Sequence, residues 1–215
     1  TEEAATCPNS VYGFTKLAGE QAVMKYCSRA MIIRTAWLYS IYGNNFVKTM
    51  LRLGRERETL GVVFDQIGTP TYANDLARAI FAAISQGIVP GIYHFSNEGV
   101  CSWYDFTLAI HRLAGIKSCK VSPLHTDEFP AKAPRPHYSV LDKTKIKKTF
   151  GIDIPHWEAS LAVCMKNLEL SAVSFSSSSS IRMISCFSRD NNLARWVPTL
   201  PAPAIIIFIF SWLIL

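Results

Sequence analysis

Short apolar runs alternate with amphipathic segments along most of the chain, and this alternation restricts its fold more than any other feature. Residues 30–36, 61–64 and 91–96 are apolar runs of strand length, and stretches with helical periodicity separate them. Strands that alternate with helices are typical of α/β proteins built on a parallel sheet. We therefore predict α/β architecture for residues 1–170.

Helical periodicity predicts five helices, over residues 9–28, 45–55, 72–85, 102–114 and 157–168. In the fourth, Ser102 is a candidate N-cap with Asp105 as its capping-box partner, and Gly115 would end the helix. Residues 123–136 contain several prolines and are expected to form a long loop. The inward face of the first helix should consist of Val11, Leu17, Ala18 and Val23.

Residues 171–215 differ in composition from the rest of the chain, because serine dominates their first part. They end in an apolar run, 204–215, which is shorter than the roughly 20 residues that span a bilayer. We predict that this tail is not part of the fold. A membrane anchor is the disfavoured alternative.

Charge and metal-binding residue types exclude several classes of function. The formal net charge of +6 is dispersed, and the one dense basic run, 143–148, has no interleaved aromatic residues, so nucleic-acid binding is not expected. The six cysteines show no C-x-x-C spacing and the five histidines no metal-ligand spacing, so no metal site is predicted. Unpaired thiols of this kind indicate a reduced, cytoplasmic interior.

Tyr12 and Lys16 have the clearest chemical meaning, because residues four apart share one face of a helix. A tyrosine with a pKa of about 10 is a poor acid at neutral pH, and a neighbouring ammonium lowers that pKa by favouring the phenolate. Such a tyrosine can protonate a carbonyl oxygen while hydride arrives at the carbon. Y-x-x-x-K also arises by chance on solvated helices, so the pair alone does not settle the chemistry.

The segments around this pair resemble, in order and spacing, those of the dTDP-4-dehydrorhamnose reductase family of extended short-chain dehydrogenases/reductases. The similar segments are 8–20 (P-x-x-x-Y-G-x-T-K-L-x-G-E), 33–39 (IRTAWLY), 43–47 (GNNFV), 65–71 (DQIGTPT), 93–97 (YHFSN) and 135–142 (RPHYSVLD). The resemblance covers residues 1–168 and implies a partial Rossmann-like, doubly wound sheet with a small α/β substrate-binding part. It also implies that the βαβ units with the glycine-rich phosphate loop, and the Ser or Thr of the catalytic trio, lie upstream of Thr1.

The resemblance assigns catalysis and cofactor binding to one end of the sheet. Tyr12 would protonate the sugar C4 oxygen, and Lys16 would tune Tyr12 and hold the nicotinamide ribose. Thr35 and Ala36, at the carboxyl end of a strand, would lie beside the nicotinamide, as in open α/β sheets generally.

The implied substrate side is formed by Trp37, Asn45, Phe46, Gln66, Pro70, Thr71 and Arg135. The planar guanidinium of Arg135 suits a diphosphate. Ordinary structural roles stay open for some of these residues: Trp37 as a core residue, Asn45 as a helix N-cap and Pro70 as a turn residue. Arg135 is equally suited to a surface ion pair.

The implied activity is NAD(P)H-dependent reduction of dTDP-4-dehydro-6-deoxy-L-mannose to dTDP-L-rhamnose in nucleotide-sugar biosynthesis, and a homodimer is compatible with it. NADPH and NADH both stay open, because the residue that reads the ribose 2′ position would lie upstream. Without a glycine loop the chain by itself is expected to bind NADPH poorly and to be inactive. The alternatives are an epimerase or dehydratase of the same superfamily, and a non-catalytic regulatory or binding subunit with this fold.

Overall fold

Helices and strands alternate along the chain, which confirms the α/β prediction. The computed structural model describes residues 1–130, 135–177 and 205–209. The helices are α1 (Val11–Tyr26), α2 (Phe46–Glu56), α3 (Ala73–Gln86), α4 (Trp103–Leu113), α5 (Thr144–Phe150) and α6 (Trp157–Ser177), with a 3₁₀ turn at Thr126–Glu128. The strands are β1 (Met31–Thr35), β2 (Leu38–Tyr39), β3 (Thr59–Val63), β4 (Ile67–Gly68), β5 (Thr71–Tyr72), β6 (Gly91–His94), β7 (Cys101–Ser102), β8 (Lys120–Leu124) and β9 (Ile205–Ile209).

The main sheet has β1 at its centre, with β6 and β9 parallel to it on either side. Met31 lies opposite Gly91 of β6 and opposite Ile205 of β9. All five residues of β1 are buried. A parallel strand enclosed by its neighbours reads as a continuous apolar run, which explains why β1 was visible in the sequence.

Strand β9 lies within the segment predicted to be outside the fold. It pairs with β1 along its whole length, so the prediction that the tail lies outside the fold does not hold for these five residues. Helix α6 likewise continues past residue 170, to Ser177. Residues 178–204 and 210–215 lie outside the described part of the chain, and the boundary at residue 170 stays a prediction.

Three short strand pairs, β2–β5 and β3–β8 in parallel and β4–β7 antiparallel, lie beside the main sheet. They join α2, α4 and α6 around an aromatic core whose centre is Phe106, with Tyr39, Phe46 and Trp157 against its ring. A second core packs α3 and α5 on β1 and β6. The chain thus has a sheet side and an aromatic side.

The predicted start of α4 is confirmed in detail. The Ser102 hydroxyl accepts a hydrogen bond from Asp105 N at 3.0 Å, and the Asp105 carboxylate accepts one from Ser102 N at 3.0 Å. The helix ends at Leu113, and Gly115 follows with φ +64°, a conformation that favours glycine.

Two expectations from the sequence are wrong. Val11, predicted to face inward, is 81% exposed, and the buried residues of α1 are Gly13 and Glu20. The predicted loop 123–136 begins as the end of β8 and continues as the 3₁₀ turn. The basic run 143–148, for which no element was predicted, lies mostly within α5, where Ile146 is fully buried. Among the described residues, no helix combines the length and apolar character needed to cross a membrane.

Candidate functional site

Helix α1 presents Tyr12 and Lys16 side by side. The Ser10 hydroxyl caps the helix by accepting a hydrogen bond from Gly13 N at 3.2 Å, which fixes the first turn that carries Tyr12. The Lys16 Nζ atom lies 5.2 Å from the centroid of the Tyr12 ring. The ammonium therefore contacts the face of the phenol ring.

The expected lowering of the Tyr12 pKa is not found. Burial raises the pKa of Tyr12 above its ordinary value, because a partly desolvated phenol resists ionisation. The Lys16 ammonium lies over the ring of Tyr12, and the burial of the phenol decides the direction of the pKa shift. In this arrangement Tyr12 holds its proton firmly at neutral pH.

A buried ion pair joins α1 to the main sheet. The Arg34 Nε atom donates to Glu20 Oε2 at 3.0 Å, and a second, shorter contact joins Arg34 Nη2 to Glu20 Oε1. Both side chains are 4% exposed. Lys16 and Glu20 are four residues apart, so this pair sets the position of the helix turn that carries Lys16.

His94 lies against the same guanidinium. Its Nε2 atom is 3.4 Å from Arg34 Nη1, and its ring is fully buried. Burial, and then the charge of Arg34, lower the pKa of His94 to about 3. The imidazole is therefore neutral at physiological pH.

The residues predicted to contact the nicotinamide lie in the interior at the end of β1. Thr35 and Ala36 are buried. The Thr35 hydroxyl donates to Thr71 Oγ1 at 3.1 Å, and the Thr71 hydroxyl donates to the Ala36 carbonyl oxygen at 2.6 Å. Their polar groups thus bond one another across β1 and β5, and the cofactor role of Thr35 and Ala36 stays a prediction.

Trp37 follows with an unusual backbone. Its φ of +50° is the only positive value at a non-glycine residue in the described part of the chain. Its ring stacks on Trp103, with centroids 3.5 Å apart and an interplanar angle of 13°. Phe46 lies against the other ring, 4.5 Å from Trp103. Residues with strained backbone conformations of this kind cluster at functional sites.

An apolar cavity of about 470 Å³ opens beside this stack. Three predicted substrate-side residues line it: Phe46, Gln66 and Arg135. Its walls are otherwise formed by Thr49, Met50, Leu53, Arg57, Thr59, Leu60, Gly61, Val62, Val63, Trp103, Leu124, Glu128, Phe129 and Pro130. Cavities of this size with aromatic walls and few charged groups are typical of small-molecule sites.

The other predicted substrate-side residues do not line the cavity. Trp37 packs on Trp103, and Pro70 and Thr71 are buried. Asn45 is the N-cap of α2: its Oδ1 accepts from Lys48 N at 3.2 Å, and its Nδ2 donates to the Ser40 carbonyl at 2.7 Å. The structural explanation of Asn45 is therefore complete without a ligand.

Several residues that line the cavity were not anticipated, among them Trp103, Arg57 and Glu128. They come from α4, the end of α2 and the 3₁₀ turn, which no local motif connects. Of these three residues, only Trp103 lies beside a feature that is visible in the sequence, since it directly follows the N-cap of α4. Neither Tyr12 nor Lys16 lines this cavity.

Metal ligands do not converge in the described residues: no group of three or more His, Cys, Asp or Glu side chains is arranged to hold an ion. Cys7, Cys27, Cys101, Cys119 and Cys164 are free thiols.

Comparison with known proteins identifies similar sequences. A family model described as the RmlD substrate binding domain matches residues 1–170. The chain is 42% identical over 176 residues to a dTDP-4-dehydrorhamnose reductase of Escherichia coli (strain K12), covering 78% of the chain and 59% of that protein. It is 44% identical over 154 residues to the spore coat polysaccharide biosynthesis protein SpsK of Bacillus subtilis (strain 168), covering 72% of the chain and 53% of that protein. The chain thus spans little more than half the length of these relatives.

Solved structures show the same pattern. A dTDP-4-dehydrorhamnose reductase from Bacillus anthracis str. Ames, in complex with NADP, is 43% identical with a TM-score of 0.74, covering 77% of this chain and 58% of that one. A dTDP-glucose 4,6-dehydratase from the same organism, in complex with NAD, has a TM-score of 0.65 but only 17% identity, covering 80% of this chain and 56% of that one, so it shares the fold alone.

Proposed function

Because the chain belongs to the family described as the RmlD substrate binding domain, we propose that it is the substrate-side part of an NAD(P)H-dependent reductase. The proposed reaction converts dTDP-4-dehydro-6-deoxy-L-mannose to dTDP-L-rhamnose. The observation that carries the proposal is the placement of Tyr12 and Lys16 on one helix, with the Lys16 ammonium 5.2 Å from the tyrosine ring. Reduction of a ketone needs a proton donor held beside the carbonyl oxygen, and a protonated tyrosine meets that need.

The cavity beside Trp103 supports a nucleotide-bearing substrate. An aromatic wall can stack on a base, and Arg57 and Arg135 at the same cavity offer guanidinium groups to a diphosphate. Gln66, which also lines it, can pair with polar groups of a base or sugar. A dTDP-sugar combines these three chemical features.

The proposed cofactor is NADPH, in keeping with the NADP bound by the related Bacillus anthracis reductase, with NADH as the alternative. The donor chemistry on α1 fits it: Lys16 takes part in no ion pair with the described residues, so its ammonium can donate to ribose hydroxyls. When bound, the cofactor supplies hydride. The residues of the chain would hold a proton at Tyr12 Oη, bind the ribose at Lys16 Nζ and orient the sugar from the cavity side.

Tyr12→Phe tests the catalytic role in a protein that carries this chain behind a cofactor-binding segment. We expect kcat for dTDP-4-dehydrorhamnose to fall by about 10²–10⁴-fold, because removal of the hydroxyl deletes the proton donor. Affinity for dTDP should be unchanged, since Tyr12 does not line the cavity. The matched control is Tyr26→Phe on the same helix, where the side chain is 81% exposed. Equal rates for the two variants would refute the role of Tyr12.

The chain by itself, with no glycine-rich phosphate loop in its sequence, should bind NADPH poorly. Isothermal titration of the purified chain with NADPH measures this, and micromolar binding would overturn the expectation. The cytoplasmic location and a homodimer remain predictions. Size-exclusion chromatography with light scattering measures the oligomeric state.

A further inference from the structure

Residues 64–68 form a backbone spine to which two separate segments of the cavity wall attach. On one side, Phe64 N donates to the Leu124 carbonyl at 3.0 Å. On the other, Ile67 N donates to the His137 carbonyl at 2.7 Å, and Ser139 N donates to the Ile67 carbonyl at 2.8 Å. The two attached segments, 124–130 and 135–139, are thereby held on either side of one short stretch of chain.

The side chain of Asp65, in the middle of this spine, contacts both segments. Its carboxylate accepts two hydrogen bonds from Thr126, from the backbone N at 3.1 Å and from the hydroxyl at 2.7 Å. The Nδ1 atom of His137 lies 3.6 Å from Asp65 Oδ2 and 3.0 Å from the Asp65 carbonyl oxygen. His125 Nδ1 is 3.9 Å from the same carboxylate oxygen.

These contacts keep Asp65 charged. Burial works against ionisation of the carboxyl, but the hydrogen bonds from Thr126 and then the charge of His137 outweigh it, so the pKa of Asp65 lies below its ordinary value. Hydrogen bonds to an ionised acceptor are stronger than those between neutral groups. Asp65 is therefore a strong tie between the spine and the 3₁₀ turn.

The two tied segments carry residues of the cavity wall. Glu128, Phe129 and Pro130 belong to the first, and Arg135 belongs to the second. Asp65 itself does not line the cavity, whereas its neighbour Gln66 does and donates to Thr126 Oγ1 at 3.1 Å. Thr126 thus forms hydrogen bonds with two adjacent side chains of the spine, Asp65 and Gln66.

We propose that Asp65 is a positioning residue for the nucleotide site: it holds segments 124–130 and 135–139 so that Phe129 and Arg135 face the same cavity. The inference rests on the proposed function in one respect, since it takes the diphosphate nucleotide as the ligand of that cavity. Asp65 acts through Thr126 and His137 and contacts no ligand.

The test compares Asp65→Asn with Asp127→Asn, a matched control on the neighbouring 3₁₀ turn. The probe is dTDP, and binding is followed by the intrinsic tryptophan fluorescence, to which the cavity-lining Trp103 contributes. We expect Asp65→Asn to raise the Kd for dTDP about tenfold, because a charge-assisted tie becomes a weaker one, and Asp127→Asn to leave it within about twofold. Hydrogen exchange should rise in peptides 124–130 and 135–139 of the Asp65→Asn variant alone.

A second pair of variants keeps the test decisive if Asp65→Asn does not fold. Thr126→Val removes the hydroxyl that donates to Asp65 and accepts from Gln66, Thr126→Ser keeps both bonds, and Gln66→Leu removes only the second. Weaker dTDP binding by the valine variant that serine restores and that exceeds the loss in Gln66→Leu supports the proposal, and a loss no larger than that of Gln66→Leu overturns it. If the unmodified chain binds no dTDP, the proposed function fails. Hydrogen exchange then decides the inference separately, and unchanged exchange in both segments of Asp65→Asn refutes it.

Discussion

Helix α1 and the aromatic side of the molecule are held in place by opposite means. On α1 the apolar side chains Val11, Phe14 and Tyr26 are exposed, and the buried contact with the sheet is the ion pair of Glu20 with Arg34. On the aromatic side, Phe106 is 1% exposed and lies within ring-contact distance of three other aromatic residues. The helix that carries the proposed proton donor thus depends on polar contacts, and the substrate side depends on apolar packing.

This difference bears on the two proposed tasks of the protein, which are recognition of a nucleotide and donation of a proton. Packed aromatic rings give a cavity wall of fixed shape, which suits recognition of a nucleotide. An ion pair between buried groups depends strongly on both partners, so a single substitution can release α1 while the aromatic core stays intact.

The variants Phe106→Ala and Phe14→Ala should show the largest difference in the free energy of unfolding. Truncation at Phe106 leaves a cavity in a filled core and should lower the free energy of unfolding by about 3–5 kcal/mol. Phe14 is 60% exposed, so its truncation should change stability by about 0.5 kcal/mol or less. Urea unfolding measures both. A similar loss in the two variants would show that α1 depends on apolar packing as much as the aromatic side does.

Glu20→Gln should destabilise the protein by about 3 kcal/mol, because it leaves the Arg34 charge buried without its carboxylate. The control is Glu56→Gln, whose exposed pair with Arg52 is worth under about 1 kcal/mol. Hydrogen exchange of α1 should rise in the first variant and that of α4 should not. Unaltered exchange in α1 would mean that other contacts hold the helix.

Substitution of alanine for one glycine in each region extends the comparison, because each substitution adds a single methyl group. A Cβ at Gly54 would lie 2.4 Å from Nε2 of the buried His111, so Gly54→Ala should cost about 1–3 kcal/mol. At Gly13 of α1 the nearest atom would be Pro8 Cβ at 3.0 Å, and alanine's higher helix propensity, about 1 kcal/mol, offsets the contact. Shifts in the urea midpoint measure the two effects, and a larger loss at Gly13 would contradict this reading.

His94 predicts the smallest effect near neutral pH, a dependence of stability on pH that grows as the solution becomes more acidic. In the unfolded chain its pKa is about 6.5, whereas in the fold it is about 3. Between these values the unfolded state binds one more proton, so stability falls as pH falls, by about 1.4 kcal/mol per pH unit. The difference between unfolding curves of the parent and His94→Gln, measured from pH 7 to pH 4, isolates this contribution. Parallel pH profiles would show that His94 does not titrate on unfolding.

The sequence predicted those parts of the fold whose signals are local. The apolar run of β1 and the cap of α4 at Ser102 were visible because burial on both faces and capping each leave a short pattern. Strand β8 was not predicted, since Pro123 lies within it. Helix α5 was not predicted, because its lysines obscure the apolar pattern of a buried helix. Lys143 and Lys147 in fact form ion pairs with the carboxylate of Glu98.

The candidate site divides in the same way. Phe46, Gln66 and Arg135 were expected and line the cavity. Trp103 and Arg57 were not, because their proximity comes from the packing of distant elements. The direction of the Tyr12 pKa shift was also missed, since it comes from the burial of the phenol, which the spacing of Tyr12 and Lys16 does not show.

The position of Trp37 makes two demands that no residue type, tryptophan included, meets together. Its left-handed backbone is tolerated by glycine and asparagine, but neither has a ring to stack on Trp103 or to lie against Gly68, where a Cβ would come within 2.6 Å of the indole. A substitution that relieves the backbone therefore empties the stack, and one that keeps a ring keeps the strain of about 1–3 kcal/mol. A selection experiment that saturates this codon should accordingly return aromatic residues, with tryptophan the most frequent.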